Sequence, residues 1–208
     1  DDGVYNQYMR CISKFVPENA VITTDVGQNQ VWTAQSFEVK HGQQVLFSGG
    51  HGAMGYSLPA AIGAYYATRG PVISLNGDGG IQMNLQELAF IQREKLPIKI
   101  FVFNNYALGM IRHFQEMYFE DRYVQTIEGA GYATPDFEGI AKAYGIRYLC
   151  YEKPQDVSDE FMRLEGPVFV EVSLRQNTYV FPKLEFGKPN QDQEPLIERK
   201  LYNLLMEL

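Results

Sequence analysis

The sequence predicts a three-layer α/β fold, with helices on both faces of a doubly wound, mostly parallel sheet of about six strands. Three observations predict it. Val72-Ile73-Ser74-Leu75 and Ile98 to Phe103 are near-continuous apolar runs, the pattern of strands buried on both faces. A helix-like stretch, Leu85 to Glu94, separates them, so strand, helix and strand form a βαβ unit with parallel strands. The same alternation of short apolar runs and helical stretches extends along the chain.

Taken in order, Val4 to Phe15 reads as a helix with Val4, Tyr8, Ile12 and Phe15 on one face. Ala20 to Thr24 is a short strand closed by the Asp25-Val26-Gly27 turn. A helix starts near Gly27 and carries Val31, Trp32 and Ala34. Val45 to Phe47 is a strand, followed by Gly49, Gly50, Gly52 and Gly55, which permit tight turns and close ligand approach. Leu58 to Tyr66 is an Ala/Gly-rich helix able to pack closely on a sheet. After the βαβ unit, Leu108 to Met117 is helical and Glu120 to Ala133 is a turn-rich, mobile connection. Helices at Phe137 to Tyr144 and Val157 to Leu164 alternate with strands at Arg147 to Tyr151 and Val168 to Val172. Residues 1–182 are read as the main domain and 183–208 as a tail. Lys183 to Glu194 is an extended linker, and Pro195 opens a helix carrying Leu196, Ile197, Leu201, Leu204, Leu205 and Leu208.

Composition narrows the function. The 208 residues carry a net charge of −7 with dispersed acidic groups, whereas a nucleic-acid surface would show a basic stripe. No apolar stretch approaches transmembrane length, and no signal peptide is read. Cys11 and Cys150 are distant in sequence and read as two reduced, buried thiols, which fits a cytoplasmic location. No G-x-G-x-x-G opens the first helix, so a dinucleotide-binding domain is a poor fit.

The chemistry gathers at the ends of the two apolar runs. Gly77-Asp78-Gly79-Gly80 follows the first, and Asn104-Asn105 follows the second. Parallel strands put both at the carboxyl edge of the sheet, where such folds bind ligands. One carboxylate, one amide and several glycine amides suit a hard cation that holds a phosphate, since Mg²⁺ takes few protein ligands, all oxygen. Alone, Asp78 also fits a turn aspartate capping a helix.

These residues resemble the diphosphate-binding motif of thiamine diphosphate (ThDP) enzymes. The likeness covers most of the chain. Thr24-Asp25-Val26-Gly27-Gln28-Asn29-Gln30, through Trp32 and Gln35, is similar to the first cofactor loop of acetolactate synthases. Ser48-Gly49-Gly50-His51-Gly52-Ala53-Met54-Gly55-Tyr56 with Leu58-Pro59-Ala60-Ala61-Ile62-Gly63-Ala64 is similar to their pyrimidine-contacting segment. The resemblance implies ThDP and Mg²⁺ as cofactors, with Asp78, Asn105 and the Ala107 carbonyl on the metal. Asn104 would hold the turn. Gly27, Gln28, Asn29, Gly77, Gly79, Gly80 and the turn of Ala107, Leu108 and Gly109 would surround the diphosphate, with Met110 beside them. Gly52 and Met54 would hold the pyrimidine edge. Met54 would also force the bend that brings the pyrimidine 4′-amino group near thiazolium C2, the position that becomes the nucleophile; both are read as the catalytic positions here. Alone, Met54 reads as an adaptable core filler.

The chain also departs from the family. Asn29 stands where many acetolactate synthases have His, which removes a possible positive charge but keeps an amide donor. Phe114 stands where they carry Trp, on a helix with Met110, His113 and Gln115 that the resemblance places on the substrate side. His113 reads either as a proton donor or as packing. The activating glutamate of the family belongs to a separate pyrimidine-binding domain, and Glu87 is not its substitute. The chain opens on Asp1 and resembles only the C-terminal third of these enzymes, so an excised diphosphate-binding domain is expected rather than a natural split subunit.

The expected parent is a 2-oxoacid decarboxylase/carboligase, a homodimer or tetramer in which a pyrimidine-binding domain of the same or a neighbouring chain completes the site. The alternatives are a ThDP enzyme using another 2-oxoacid or a sugar-linked carbonyl, and a non-catalytic regulatory module of the same fold.

Overall fold

The computed structural model describes residues 3–185, 187–189, 191–194 and 196–207. They fall into two compact units, Asp1–Thr178 and Tyr179–Leu208. In the first, the elements run α1 (Val4–Phe15), β1 (Val21–Thr24), α2 (Gln28–Ser36), β2 (Gln44–Phe47), α3 (Ser57–Thr68), β3 (Val72–Gly77), α4 (Asp78–Ile81) and α5 (Glu87–Arg93). They continue with β4 (Ile98–Asn104), α6 (Gly109–Tyr118), α7 (Phe137–Ala143), β5 (Arg147–Tyr151), α8 (Glu160–Arg163) and β6 (Val168–Ser173).

Among the described residues the main sheet has six strands in the order β2-β1-β3-β4-β6-β5, and every pairing is parallel. The α/β fold expected from the sequence is therefore the observed one. β3 and β4 are direct neighbours, in register from Val72↔Ile98 to Gly77↔Phe103. Every residue of β4 is buried, Lys99 included, as expected of its near-continuous apolar run.

Alternate residues of β4 serve opposite faces. Ile98, Ile100 and Val102 pack with Leu58 of α3, Leu88 and Ile91 of α5, and Phe137 of α7. Phe101 and Phe103 point the other way. Phe103 meets the ring of Trp32 (α2) edge-on at 6.3 Å, and Phe101 meets Phe161 (α8) at 5.1 Å. Full burial of each such side chain contributes about 1.5–3 kcal/mol. On that same face α1 buries Tyr8, Met9 and Ile12, the stripe read from its period except at its ends, where Val4 and Phe15 stay exposed.

Several elements differ from the sequence reading. The helix expected over Leu85 to Glu94 shortens to α5. The chain leaves β3 straight into α4, then makes a 3-10 turn over Gln82–Asn84. Asn84 Nδ2 reaches back to the Gly55 carbonyl at 2.6 Å, a tie that propensity does not reveal. The helix expected over Val157 to Leu164 is a 3-10 turn at Pro154–Asp156 followed by the single turn of α8. Asp156 Oδ2 accepts from the backbone N–H of Glu152 and Lys153, closing the chain before a long helix can form. The connection read as mobile is tied to the sheet edge, where Leu108 N donates to Thr126 O at 2.9 Å. The thiols are free but not buried: Cys11 is half-buried and Cys150 exposed on the edge strand β5.

In the second unit, β7 (Lys183–Leu184) and β8 (Gln193–Glu194) pair antiparallel, so the expected linker is a hairpin-like excursion. The last helix, α9, spans Arg199–Met206, and Glu198 caps it by accepting from Leu201 N at 2.9 Å. It starts later than the helix expected from Pro195. Pro195 and Leu208 lie outside the described residues.

Candidate functional site

β1 connects to β2 on one side, and the chain then crosses to β3 on the other side of β1. The order reverses between β1 and β3, and the crevice beyond their carboxyl ends is the natural ligand position of an open α/β sheet. A cleft of about 350 Å³ opens there. The loop after β1 contributes Gly27, Gln28 and Asn29, and the glycine-rich loop before α3 contributes Gly52 and Met54. The end of β3 and α4 contribute Gly77, Asp78, Gly79 and Gly80; the turn after β4 contributes Asn105, Ala107, Leu108, Gly109 and Met110. The candidate residues, spread over more than eighty positions of sequence, thus line one cleft.

Asp78 is almost fully buried. Its Oδ1 accepts from Gly79 N at 2.7 Å and its Oδ2 from Ala107 N at 3.2 Å, which joins α4 to the turn after β4. Burial outweighs these bonds and pushes its carboxyl up to about 7. A carboxylate buried at the floor of this cleft suits a cation. Asn105 commits its amide nitrogen to Thr178 Oγ1 at 2.6 Å and Gln28 Oε1 at 3.2 Å, which leaves Oδ1 as the atom for a metal. Asn104 points elsewhere. Its Nδ2 donates to Glu171 at 2.7 Å and its Oδ1 accepts from Tyr106 N at 3.2 Å, so it shapes the turn.

The glycines keep the floor open. A Cβ on Gly79 would stand 2.5 Å from Leu108 Cδ2 and 3.4 Å from Met54 Cε, and one on Gly109 would stand 2.2 Å from Gln28 Oε1. Gly27 has φ +129°, a backbone that side chains rarely adopt. The first turns of α2 and α6 both face the cleft, and their free N–H groups favour an anion. Met54 is exposed at the mouth.

The side-chain amides of Asn29 and Gln28 are engaged within the fold. Asn29 lines the cleft, but its Nδ2 donates inward to Asp25 O at 2.9 Å, so the side-chain amide expected to replace a histidine donor is held by the sheet edge. Gln28 turns its Nε2 to Thr178 O at 2.9 Å. On α6, Arg112 and His113 are buried, and Phe114 packs on Tyr118 at 4.8 Å.

Sequence reasoning missed two anchors. Asp25 is completely buried and accepts from Gly55 N at 2.9 Å and Tyr56 N at 3.0 Å, fixing the glycine-rich loop beside Met54. Its carboxyl is raised by burial, with these backbone bonds lowering it. The Asp-Val-Gly turn signal concealed this long-range role. Thr178 is equally buried and lies far from Asn105 in sequence, so no local signal points to it.

The donor set fits a magnesium diphosphate. It offers one carboxylate, one amide oxygen and helix-start amides, with glycines at each close approach. Among the described residues no cluster of three or more His, Cys, Asp or Glu forms.

Residues 25–172 match the family described as "Thiamine pyrophosphate enzyme, C-terminal TPP binding domain". The chain belongs to that family. It is 37% identical over 182 residues to an acetolactate synthase large subunit of Lactococcus lactis, covering 86% of this chain and 31% of that protein. It is 40% identical over 179 residues to the large subunit of Pyropia yezoensis, covering 83% and 30%. Against the isozyme 2 large subunit of Escherichia coli it is 35% identical over 196 residues, covering 92% and 35%. The chain therefore spans about a third of these relatives, and the matched segment carries both Asp78 and Asn105. No helix among the described residues is long and apolar enough to cross a membrane.

Proposed function

We propose that this chain is the cofactor-binding domain of a ThDP- and Mg²⁺-dependent 2-oxoacid decarboxylase/carboligase of the acetolactate synthase type. The observation that carries this reading is the Asp78–Ala107 tie at 3.2 Å, with Asn105 in the same turn, at the switch point of a glycine-floored cleft. Asp78, Asn105 Oδ1 and the Ala107 carbonyl would hold Mg²⁺, and the first turns of α2 and α6 would hold the diphosphate. Gly52 and Met54 would border the pyrimidine. Bound there, the cofactor would supply a carbon nucleophile and an electron sink for 2-oxoacid chemistry. The chain's own part would be to hold the diphosphate on helix-start N–H groups, seat the metal through Asp78 and Asn105, and orient the ring system through Met54.

The exposed apolar groups at the mouth, Met54, Met110 and Ile111, fit cover by a pyrimidine-binding domain of the same or a neighbouring chain in a homodimer or tetramer. That domain would supply the activating acid. The 208-residue chain should bind Mg²⁺–ThDP weakly and decarboxylate pyruvate negligibly. Activity should appear in a longer protein that restores the missing domain, and Asp78→Ala should abolish it there. Undiminished activity in that variant would sink the reading. Phe114, packed among Tyr118 and Phe119, favours a second reading in which the 2-oxoacid or the acceptor differs from that of acetolactate synthases. Product analysis with several 2-oxoacids and acceptor aldehydes separates the two.

A further inference from the structure

We infer that Thr178 is a positioning residue that fixes which end of the Asn105 amide faces the cleft. The inference deepens the magnesium reading above. It concerns a residue just beyond the span, 25–172, over which the family match runs.

An asparagine amide has two ends of similar shape, and only the oxygen binds a cation. The hydrogen bonds around Asn105 decide between them. The carbonyl oxygen of Thr178 is the fixed point, because a carbonyl only accepts. It takes Gln28 Nε2 at 2.9 Å and the guanidinium of Arg112. Gln28 must then present Oε1 on its other side. There Oε1 accepts from Thr178 Oγ1 at 2.5 Å and from Asn105 Nδ2 at 3.2 Å. The Thr178 hydroxyl has given its proton to Gln28, so toward Asn105 its oxygen accepts, taking Nδ2 at 2.6 Å. The Asn105 amide nitrogen is thereby the end held by these two adjacent acceptors, and Oδ1 is the end turned away from Thr178 and Gln28.

Reversing the Asn105 amide would set its oxygen against Gln28 Oε1, and the single Thr178 hydroxyl proton could then serve only one of those two oxygens. Reversing Gln28 as well would set Oε1 against the Thr178 carbonyl. Thr178, Gln28, Asn105 and Arg112 are each at least 95% buried, so water does not relieve either mismatch. The polarity is therefore relayed from a backbone carbonyl through two side chains to a cation ligand. The partners of a metal ligand typically change metal affinity by 10–100-fold when removed.

The test uses the 208-residue chain with Mn²⁺ and inorganic diphosphate as probes, bound metal being read by electron paramagnetic resonance. Thr178→Val removes the hydroxyl at constant shape, and Thr178→Ser restores it. The valine variant should hold Mn²⁺ about tenfold or more weakly, and the serine variant within about threefold of wild type. The second readout needs no metal. In ¹H–¹⁵N spectra the Asn105 side-chain amide should exchange slowly in wild type and Thr178→Ser, and faster in Thr178→Val. If the valine variant does not fold, Gln28→Met breaks the same relay from the other end and should likewise speed that exchange. Wild-type Asn105 amide exchange and wild-type Mn²⁺ affinity in Thr178→Val, or in Gln28→Met, overturn the inference. A wild type that retains no Mn²⁺ while its amide protons behave as expected overturns the magnesium reading and supports the relay.

Discussion

Gly80→Ala isolates the contact on which the glycine-rich loop depends. Gly80 sits in α4, and a Cβ there would stand 1.8 Å from Asp25 Oδ2. Asp25 cannot swing aside freely, since its two oxygens hold Gly55 N at 2.9 Å and Tyr56 N at 3.0 Å inside the protein. Hydrogen bonds to a charged group contribute about 1.5–3 kcal/mol each, so displacing the carboxylate costs about 3–6 kcal/mol. Alanine regains about 1 kcal/mol of helix propensity over glycine, which leaves a net loss of about 2–5 kcal/mol. For a chain of this size that lowers Tm by about 5–20 °C. Thermal unfolding followed by circular dichroism reads it directly. Gly63→Ala is the internal control: Gly63 lies in α3 with nothing within 4 Å of a new Cβ, so only the propensity term remains. It should be neutral or stabilising by up to about 1 kcal/mol. A Gly80→Ala protein as stable as Gly63→Ala would refute the reasoning, because Asp25 would then not be the rigid anchor that its bonds describe.

Tyr148→Phe removes the hydroxyl that donates to Glu171 Oε2 at 2.6 Å and leaves Asn104 as that buried carboxylate's remaining partner. Chemical denaturation should show a loss of about 1–3 kcal/mol. Lys99 is buried mid-sheet with Nζ donating to Leu164 O and Gly166 O, and burial lowers its pKa to about 8. Between about pH 8 and the ordinary value of 10.5 the unfolded chain holds more protons than the folded one. Stability from this group therefore rises with pH across that window, by about 3 kcal/mol relative to Lys99→Met measured in parallel. A stability difference between the two proteins that stays flat from pH 8 to 10.5 would exclude it. Asp78→Ala should lose detectable Mg²⁺–ThDP binding by calorimetry while keeping its fold, because the substitution removes a carboxylate that burial disfavours.

The sequence by itself determined the layer architecture and the location of the site. The apolar runs of β3 and β4 admit little but buried parallel strands, and Asp78 and Asn105 sit at their ends, so geometry places both at one edge. Those signals are local: each is carried by a few adjacent residues and a period. Tertiary structure alone decided how the site is held. Asp25 reads as a turn residue until the chain brings Gly55 and Tyr56 to its carboxylate. Asn29 reads as a ligand donor until the strand edge claims its amide. Helix lengths after β3 and after β5 were set by Asn84 and Asp156 reaching other backbone groups, which no propensity records. The orientation of Asn105 rests on Thr178, over seventy residues away, because a buried amide takes its polarity from whichever donors and acceptors the fold brings within 3 Å of it.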